Sequence, residues 1–183
     1  MKVVFLDRDG VINEYPGDRE YVKSWQEFKF LPGVKTALEK LSSLDYPIFI
    51  VSNQAGVAKG IYPEQALEEI NRNMLKALGP RVKIAGIYYC THREEDNCSC
   101  RKPETGSIEK AIEKLKKENY RVDLNSAFFI GDTVRDIATG KKAGLKTILV
   151  FSGKEKPENK EHWEIQPDFT AQDLYAAVEI IIK

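Results

Sequence analysis

The sequence has no surplus of either charge: Lys plus Arg and Asp plus Glu each number 28. Without a basic block it lacks the electrostatic footprint of a nucleic-acid or polyanion binder, and small anions are left as admissible ligands. No apolar run approaches the roughly 18 residues needed to cross a bilayer, and Met1-Lys2-Val3 opens no signal-peptide pattern, so a cytoplasmic chain without a membrane partner is expected. Cysteine is scarce, and all three residues, Cys90, Cys98 and Cys100, fall close together. An odd number in a chain without an export signal argues against a disulfide framework and for metal binding. There is no internal repeat and no low-complexity segment. With 183 residues the chain suits one globular domain with a sizeable core and is short for two, so residues 1–183 are expected to form a single unit acting as a monomer.

What is there is an alternation. Apolar runs at Val3 to Leu6, Pro47 to Val51, Ile84 to Tyr89, Ala127 to Ile130 and Thr147 to Phe151 read as strands buried on both faces. Between them lie helical patterns: Val34 to Leu44 after Pro32-Gly33, Pro63 to Leu78 before Gly79-Pro80, Ile108 to Glu118, and Thr133 to Ala143 ending at Gly144. A last helix is expected from Thr170, where Thr-Ala-Gln-Asp has the form of a capping box. The charged stretch from Lys154 to Pro167, with His162 and Trp163, reads as a surface loop without a role. Strands separated by helices predict an α/β fold, a three-layer, doubly wound, mostly parallel sheet whose ligands bind beyond the carboxyl ends of the strands.

Four of those ends carry chemically able residues: Asp7 and Asp9; Ser52, Asn53 and Gln54; Cys90 and His92; Gly131 and Asp132. Each group is also ordinary turn or cap chemistry, but one pocket can collect all of them. If Asp7, Asp9 and Asp132 converge, carboxylates about 4 Å apart repel by about 4 kcal/mol at an effective dielectric near 20, and the cluster needs a cation or a raised pKa. Hard oxygen ligands suit Mg²⁺. Arg101 and Lys102 supply the cations a phosphate would require. Asp136 lies in the same helix start as Asp132, and the sequence favours Asp132 for the metal and Asp136 for the cap.

Cys90-Thr91-His92, five further residues, then Cys98-Ser99-Cys100 give three thiolates and an imidazole, a full tetrahedral set for Zn²⁺. With every ligand from the protein no position is left for water, so a structural site is expected. The loop at about 90–103 would then hold Arg101 and Lys102 in place.

These residues resemble the motifs of the haloacid dehalogenase superfamily of phosphotransferases: Asp-Arg-Asp-Gly-Val-Ile-Asn at 7–13 the first, Ser52 the second, Lys102 the third, and Gly131-Asp132 with Asp136 the fourth. The Cys-x-His and Cys-x-Cys-Arg-Lys-Pro loop is similar to that of the zinc-containing branch without a large cap domain, which holds heptose bisphosphate and histidinol-phosphate phosphatases. Tyr21-Val22 and Asn53-Gln54-Ala55-Gly56-Val57-Ala58-Lys59-Gly60 resemble the heptose enzymes more closely. The resemblance implies a Mg²⁺-dependent phosphatase acting on a small phosphorylated sugar. Asp7 would be the nucleophile and Asp9 the acid and base, with Mg²⁺ on Asp7, Asp132 and the backbone carbonyl of Asp9. It also implies that Ser52 and Lys102 hold the phosphoryl oxygens, that Arg101 reads the rest of the substrate, and that Tyr21, Asn53 and Gln54 line its path. Thr133 departs from the pattern, since heptose enzymes often carry Lys there. A rival from another class is a zinc-stabilised binding or scaffold protein that has kept the fold and lost the chemistry.

Overall fold

The computed structural model describes residues 1–183. Six strands, β1 (Val4–Leu6), β2 (Ile48–Asn53), β3 (Ile84–Cys90), β4 (Phe128–Gly131), β5 (Lys146–Val150) and β6 (Phe169–Ala171), form one sheet in the order β3-β2-β1-β4-β5-β6. Every neighbouring pair is parallel. The three-residue β1 lies at the centre, with Val4 opposite both Ile48 and Phe128 and Leu6 opposite both Ile50 and Ile130. Its short apolar sequence therefore makes sense: both edges are paired and both faces covered, so it has no polar side to show.

Five helices cover the sheet: α1 (Val34–Ser43), α2 (Glu64–Leu78), α3 (Gly106–Lys117), α4 (Val134–Lys142) and α5 (Leu174–Ile181). Alternate strand residues face opposite ways. Val4 and Leu6 join the apolar stripes of α1, α2 and α5, through Leu38, Met74 and Val178 among others. Val3 and Phe5 join Ile108, Ala111 and Leu115 of α3. Phe5 stacks between Phe49 and Phe129, with ring centroids 5.6 and 6.5 Å away. All three rings are fully buried, and each contributes about 1.5–3 kcal/mol by leaving water. The result is the three-layer doubly wound architecture that the alternation predicts. No helix is long and apolar enough to cross a membrane.

The C-terminal quarter differs from expectation in two respects. Phe169–Ala171 is a sixth strand, pairing with Ile148, Leu149 and Val150, and the last helix starts later. Asp173 is its N-cap, accepting from the Ala176 amide at 2.9 Å, so the Asp placed inside the helix by the Thr-Ala-Gln-Asp reading in fact begins it. A three-residue edge strand with two exposed side chains has too little apolar pattern to be read. The segment from 154 to 167 also does more than cross the surface. Pro157–His162 forms a 3-10 turn, and Trp163 is buried against Ile137 and Leu149 with its indole N–H donating to Glu155 at 2.8 Å. His162 has no such anchor and is exposed.

Candidate active site and metal centre

Because all strands are parallel and β1 is central, the tips of β1, β2 and β4 converge on one spot, with the connections after β3 and β5 beside it. A cavity of about 620 Å³ opens there, lined by Asp7, Asp9, Tyr21, Ser52, Asn53, Arg101, Lys102 and Asp132 among others. Of the residues singled out by sequence for the phosphate and magnesium chemistry, Gln54 alone does not line it; it lies fully buried behind the wall.

Carboxylate oxygens of Asp7, Asp132 and Asp136 lie within 4.8 Å of one another. Lys102 Nζ sits among them, 2.7 Å from Asp7 Oδ2 and 2.5 Å from Asp136 Oδ1. Three acids against one ammonium leave two negative charges in a buried space, which one divalent cation would cancel. The strain is visible in the acids. Burial, only partly offset by Lys102 and reinforced by Asp136, pushes Asp7 up to about 6. Burial together with Asp136 and Asp7 holds Asp132 well above the usual carboxylate range.

The three acids differ in how far they are already satisfied. Asp136 accepts from Lys102 through one oxygen and from the Thr133 amide and hydroxyl, at 3.1 and 2.7 Å, through the other. It is both the cap the sequence favours and a wall of the cluster. Thr133 spends its hydroxyl on that cap. Asp7 Oδ1 accepts from the Arg8 amide at 2.7 Å, and Asp132 Oδ2 from the Lys154 amide at 2.8 Å. Asp132 is also wedged against Gly153, where a Cβ would fall 2.0 Å from Oδ2, so that position admits no side chain without moving the acid. Asp7 and Asp132 thus keep lone pairs for a hard cation, and the donor set suits Mg²⁺.

Asp9 is at the same mouth but its carboxylate is not part of this acid cluster. Arg8 holds it through Nε at 3.1 Å and Nη2 at 2.9 Å, Asn13 donates to Oδ1 at 2.9 Å and Gln54 to Oδ2 at 2.9 Å. Burial alone would raise Asp9, but Arg8 and the amide donors overcome it and hold it below its ordinary value. Arg8 is itself fully buried, stacked over the Tyr89 ring, with one guanidinium nitrogen lacking any partner. Sequence reasoning passed over Arg8 and Asn13 although both stand inside the quoted motif, because nothing in their identity says that they point at Asp9. Tyr62, which donates to Gln54 Oε1 at 2.7 Å, carried no signal at all.

Asn53 faces Lys102: its Oδ1 accepts from the Lys102 amide at 3.0 Å and its Nδ2 donates to the Lys102 carbonyl at 3.1 Å. Both ends of the side chain are used in holding the loop that carries the lysine. Tyr21 stands at the rim, accepting from Lys59 Nζ at 3.1 Å, and Asp18 bridges Tyr15 and Lys154 across the mouth at 2.6 Å each.

Cys90, His92, Cys98 and Cys100 form a second constellation at the end of β3. Their sulfurs are 3.5, 3.5 and 3.1 Å apart, and His92 Nδ1 lies 3.7 and 3.3 Å from two of them. Ligands about 2.3 Å from a tetrahedral zinc stand at about these separations from one another, and the three thiols form no disulfide. The group fits a structural Zn²⁺. The loop is tied to the segment after β2, where Arg93 donates twice to the Ala58 carbonyl, and braced within itself, where Arg101 donates to the His92 carbonyl.

Residues 99–177 match a family model described as HAD-hydrolase-like. Over 97% of its length the chain is 39% identical to a D-glycero-D-manno-heptose-1,7-bisphosphate 7-phosphatase of Chlorobaculum tepidum, covering 92% of that protein. It is 37% identical to a D-glycero-beta-D-manno-heptose-1,7-bisphosphate 7-phosphatase of Pasteurella multocida, over 86% of both chains. A D-glycero-alpha-D-manno-heptose-1,7-bisphosphate 7-phosphatase of Campylobacter jejuni is 35% identical, over 85% of both. Among solved structures, the D,D-heptose 1,7-bisphosphate phosphatase of B. bronchiseptica, complexed with magnesium and phosphate, superposes with a TM-score of 0.88 at 31% identity, covering 100% of this chain and 98% of the other.

Proposed function

The chain belongs to the heptose bisphosphate phosphatase family of HAD-like hydrolases, and from that membership we propose that it removes the 7-phosphate of D-glycero-D-manno-heptose 1,7-bisphosphate with Mg²⁺ and a structural Zn²⁺. The observation that carries the reading is the placement of Asp7, bonded to Lys102 and within reach of Asp132, at the floor of an open polar cavity. All six strands join one sheet, which supports a single 1–183 phosphatase domain carrying the zinc loop at 90–103, and we propose that it works as a monomer.

In this reading the phosphate rests between Lys102, the Ser52 hydroxyl and the metal, with Asp7 below the phosphorus. An Asp7 oxygen forms a bond to phosphorus as the bond to the sugar oxygen breaks, and Asp9 gives that oxygen its proton. Water then attacks the aspartyl-phosphate, Asp9 takes the water's proton, and the Asp7–phosphorus link breaks to release phosphate. Splitting one displacement in two suits a buried carboxylate nucleophile. Asp9 must be protonated to start, and the negative charge of an arriving phosphate raises its proton affinity in the required direction. Mg²⁺, held by Asp7, Asp132 and the Asp9 backbone carbonyl, would neutralise the phosphoryl oxygens and the acid cluster together. Lys102 and Arg101 divide the work as point charge and fork, one at the transferred group and one at the exposed mouth.

Phosphate release with Mg²⁺ from the α and β anomers of the bisphosphate and from histidinol phosphate tests the reading. The two heptose anomers should be turned over at least about tenfold faster, in kcat/KM, than histidinol phosphate. Release from histidinol phosphate alone, or from none of the three, overturns it.

A further inference from the structure

Gln54 is a fully buried polar side chain directly behind the catalytic wall, and its hydrogen bonds have only one consistent arrangement. Tyr62, itself almost wholly buried, donates its hydroxyl hydrogen to Gln54 Oε1 at 2.7 Å. The Asp9 carboxylate, which can only accept, fixes which end of the amide is nitrogen, since the reverse orientation would set a carbonyl oxygen against it; the Tyr62 hydroxyl, left facing Oε1, therefore has to donate. Nε2 then has two hydrogens to place. It lies 2.9 Å from Asp9 Oδ2 and 3.2 Å from Ser52 Oγ, so both are used inside the site.

The consequence falls on Ser52. Its hydroxyl accepts from Gln54 and makes no other hydrogen bond, while the residue lines the cavity. A hydroxyl has a single hydrogen, and here the Gln54 amide hydrogen occupies one lone pair and bars that hydrogen from turning toward Gln54. We propose that Tyr62 and Gln54 are positioning residues: the chain Tyr62 to Gln54 to Ser52 aims the Ser52 hydrogen into the cavity as a donor to the phosphoryl group, while the second Gln54 hydrogen fixes Asp9. The fold makes room for this chain at Gly56, where a Cβ would fall 2.2 Å from the Tyr62 ring. Neither residue meets the substrate, so each acts through another group. The inference rests on the phosphatase reading for its use but on the hydrogen-bond directions for its content.

A double-mutant cycle tests it. Kinetics with Mg²⁺ are measured for the wild type, Tyr62→Phe, Ser52→Ala and the double variant, with Gln54→Glu as a second probe that can accept from Tyr62 but offers Ser52 and Asp9 no amide hydrogen. Tyr62→Phe should lower kcat about tenfold with KM within about twofold, and that loss should shrink to about threefold or less in the Ser52→Ala background. Gln54→Glu should lose more than Tyr62→Phe. The same cycle is read a second time as the affinity for inorganic phosphate, which needs no turnover. Should the wild type hydrolyse no ester, the phosphatase reading fails, and non-additive phosphate binding still supports the positioning chain. Equal fold-losses in both backgrounds, or a Tyr62→Phe enzyme with wild-type kcat and phosphate affinity, overturn the proposal.

Discussion

Lys102 Nζ stands 2.7 Å from an oxygen of Asp7 while the lysine is 3% exposed, so the ammonium is as much a part of the buried acid cluster as the acids are. Asp136, 2.5 Å away on the other side, completes the contact. In the proposed reaction, binding a phosphoryl group and neutralising two carboxylates are tasks of the same atom.

Lys102→Met should therefore be damaging twice over. Loss of a preorganised cation beside the transferred group is expected to lower kcat/KM by about 100-fold or more. Leaving Asp7 and Asp136 without their buried partner should cost about 3–5 kcal/mol in urea unfolding without added Mg²⁺. A variant within twofold of wild-type turnover would remove Lys102 from the site.

Asp7→Asn is expected to separate stability from activity. Phosphate release should fall to background, because an amide cannot form the phosphoryl intermediate. Since its surroundings push Asp7 up to about 6, a neutral side chain there should raise the melting temperature of the Mg²⁺-free protein at pH 7.5. Appreciable turnover by Asp7→Asn would reject the nucleophile.

The same acids set a pH dependence. Asp7 and Asp132 are both raised in the folded protein, so between the ordinary carboxylate value and about 6 the folded state binds more protons than the unfolded state. Stability of protein with zinc bound and Mg²⁺ withheld should fall as pH rises through about 6 and recover as pH is lowered toward 5. Saturating Mg²⁺ should flatten the curve. A Mg²⁺-free melting curve that climbs from pH 5 to 7.5 would contradict this.

Gly153→Ala should weaken magnesium without unfolding the sheet. The added methyl meets Asp132 Oδ2, and the acid has to leave its place. The half-saturating Mg²⁺ concentration for turnover is expected to rise about tenfold or more, roughly the scale of losing support around a metal ligand.

For the zinc loop, replacing Cys98 and Cys100 by Ser should abolish bound zinc in elemental analysis. Activity should fall with it, because Arg101 and Lys102 follow the last ligand directly. Full activity in a zinc-free variant would show that Asn53 and the Arg93 contact hold the loop unaided.

Much of this was legible in the sequence, for reasons that differ from element to element. β1, β2 and β4 are apolar on both faces, and a continuous run is the signal such strands leave; their polar tips then mark the site without a tertiary argument. The clustering of Cys90, His92, Cys98 and Cys100 was legible because the four are close in the chain. β6 was not, since a three-residue edge strand with Phe169 and Thr170 exposed has no periodicity to detect. The role of Asp136 toward Lys102 was hidden behind an equally good local explanation, the Thr133 cap, and the structure shows both at once. Trp163 looked like loop because the residues around it are charged; what buries it is Ile137 and Leu149, distant in sequence.

The strand order has a consequence for how the protein comes into being. Asp7 is made among the first residues, but its neighbours across the sheet are reached only by way of helical crossovers, and Asp132 is seated against Gly153, near the end of the chain. During synthesis on the ribosome Asp7 waits for most of the message to be read before Asp132 can be seated beside it. A nascent chain released before that point carries every residue from Asp7 to Asn13 and none of the acid cluster that surrounds Asp7 in the finished fold.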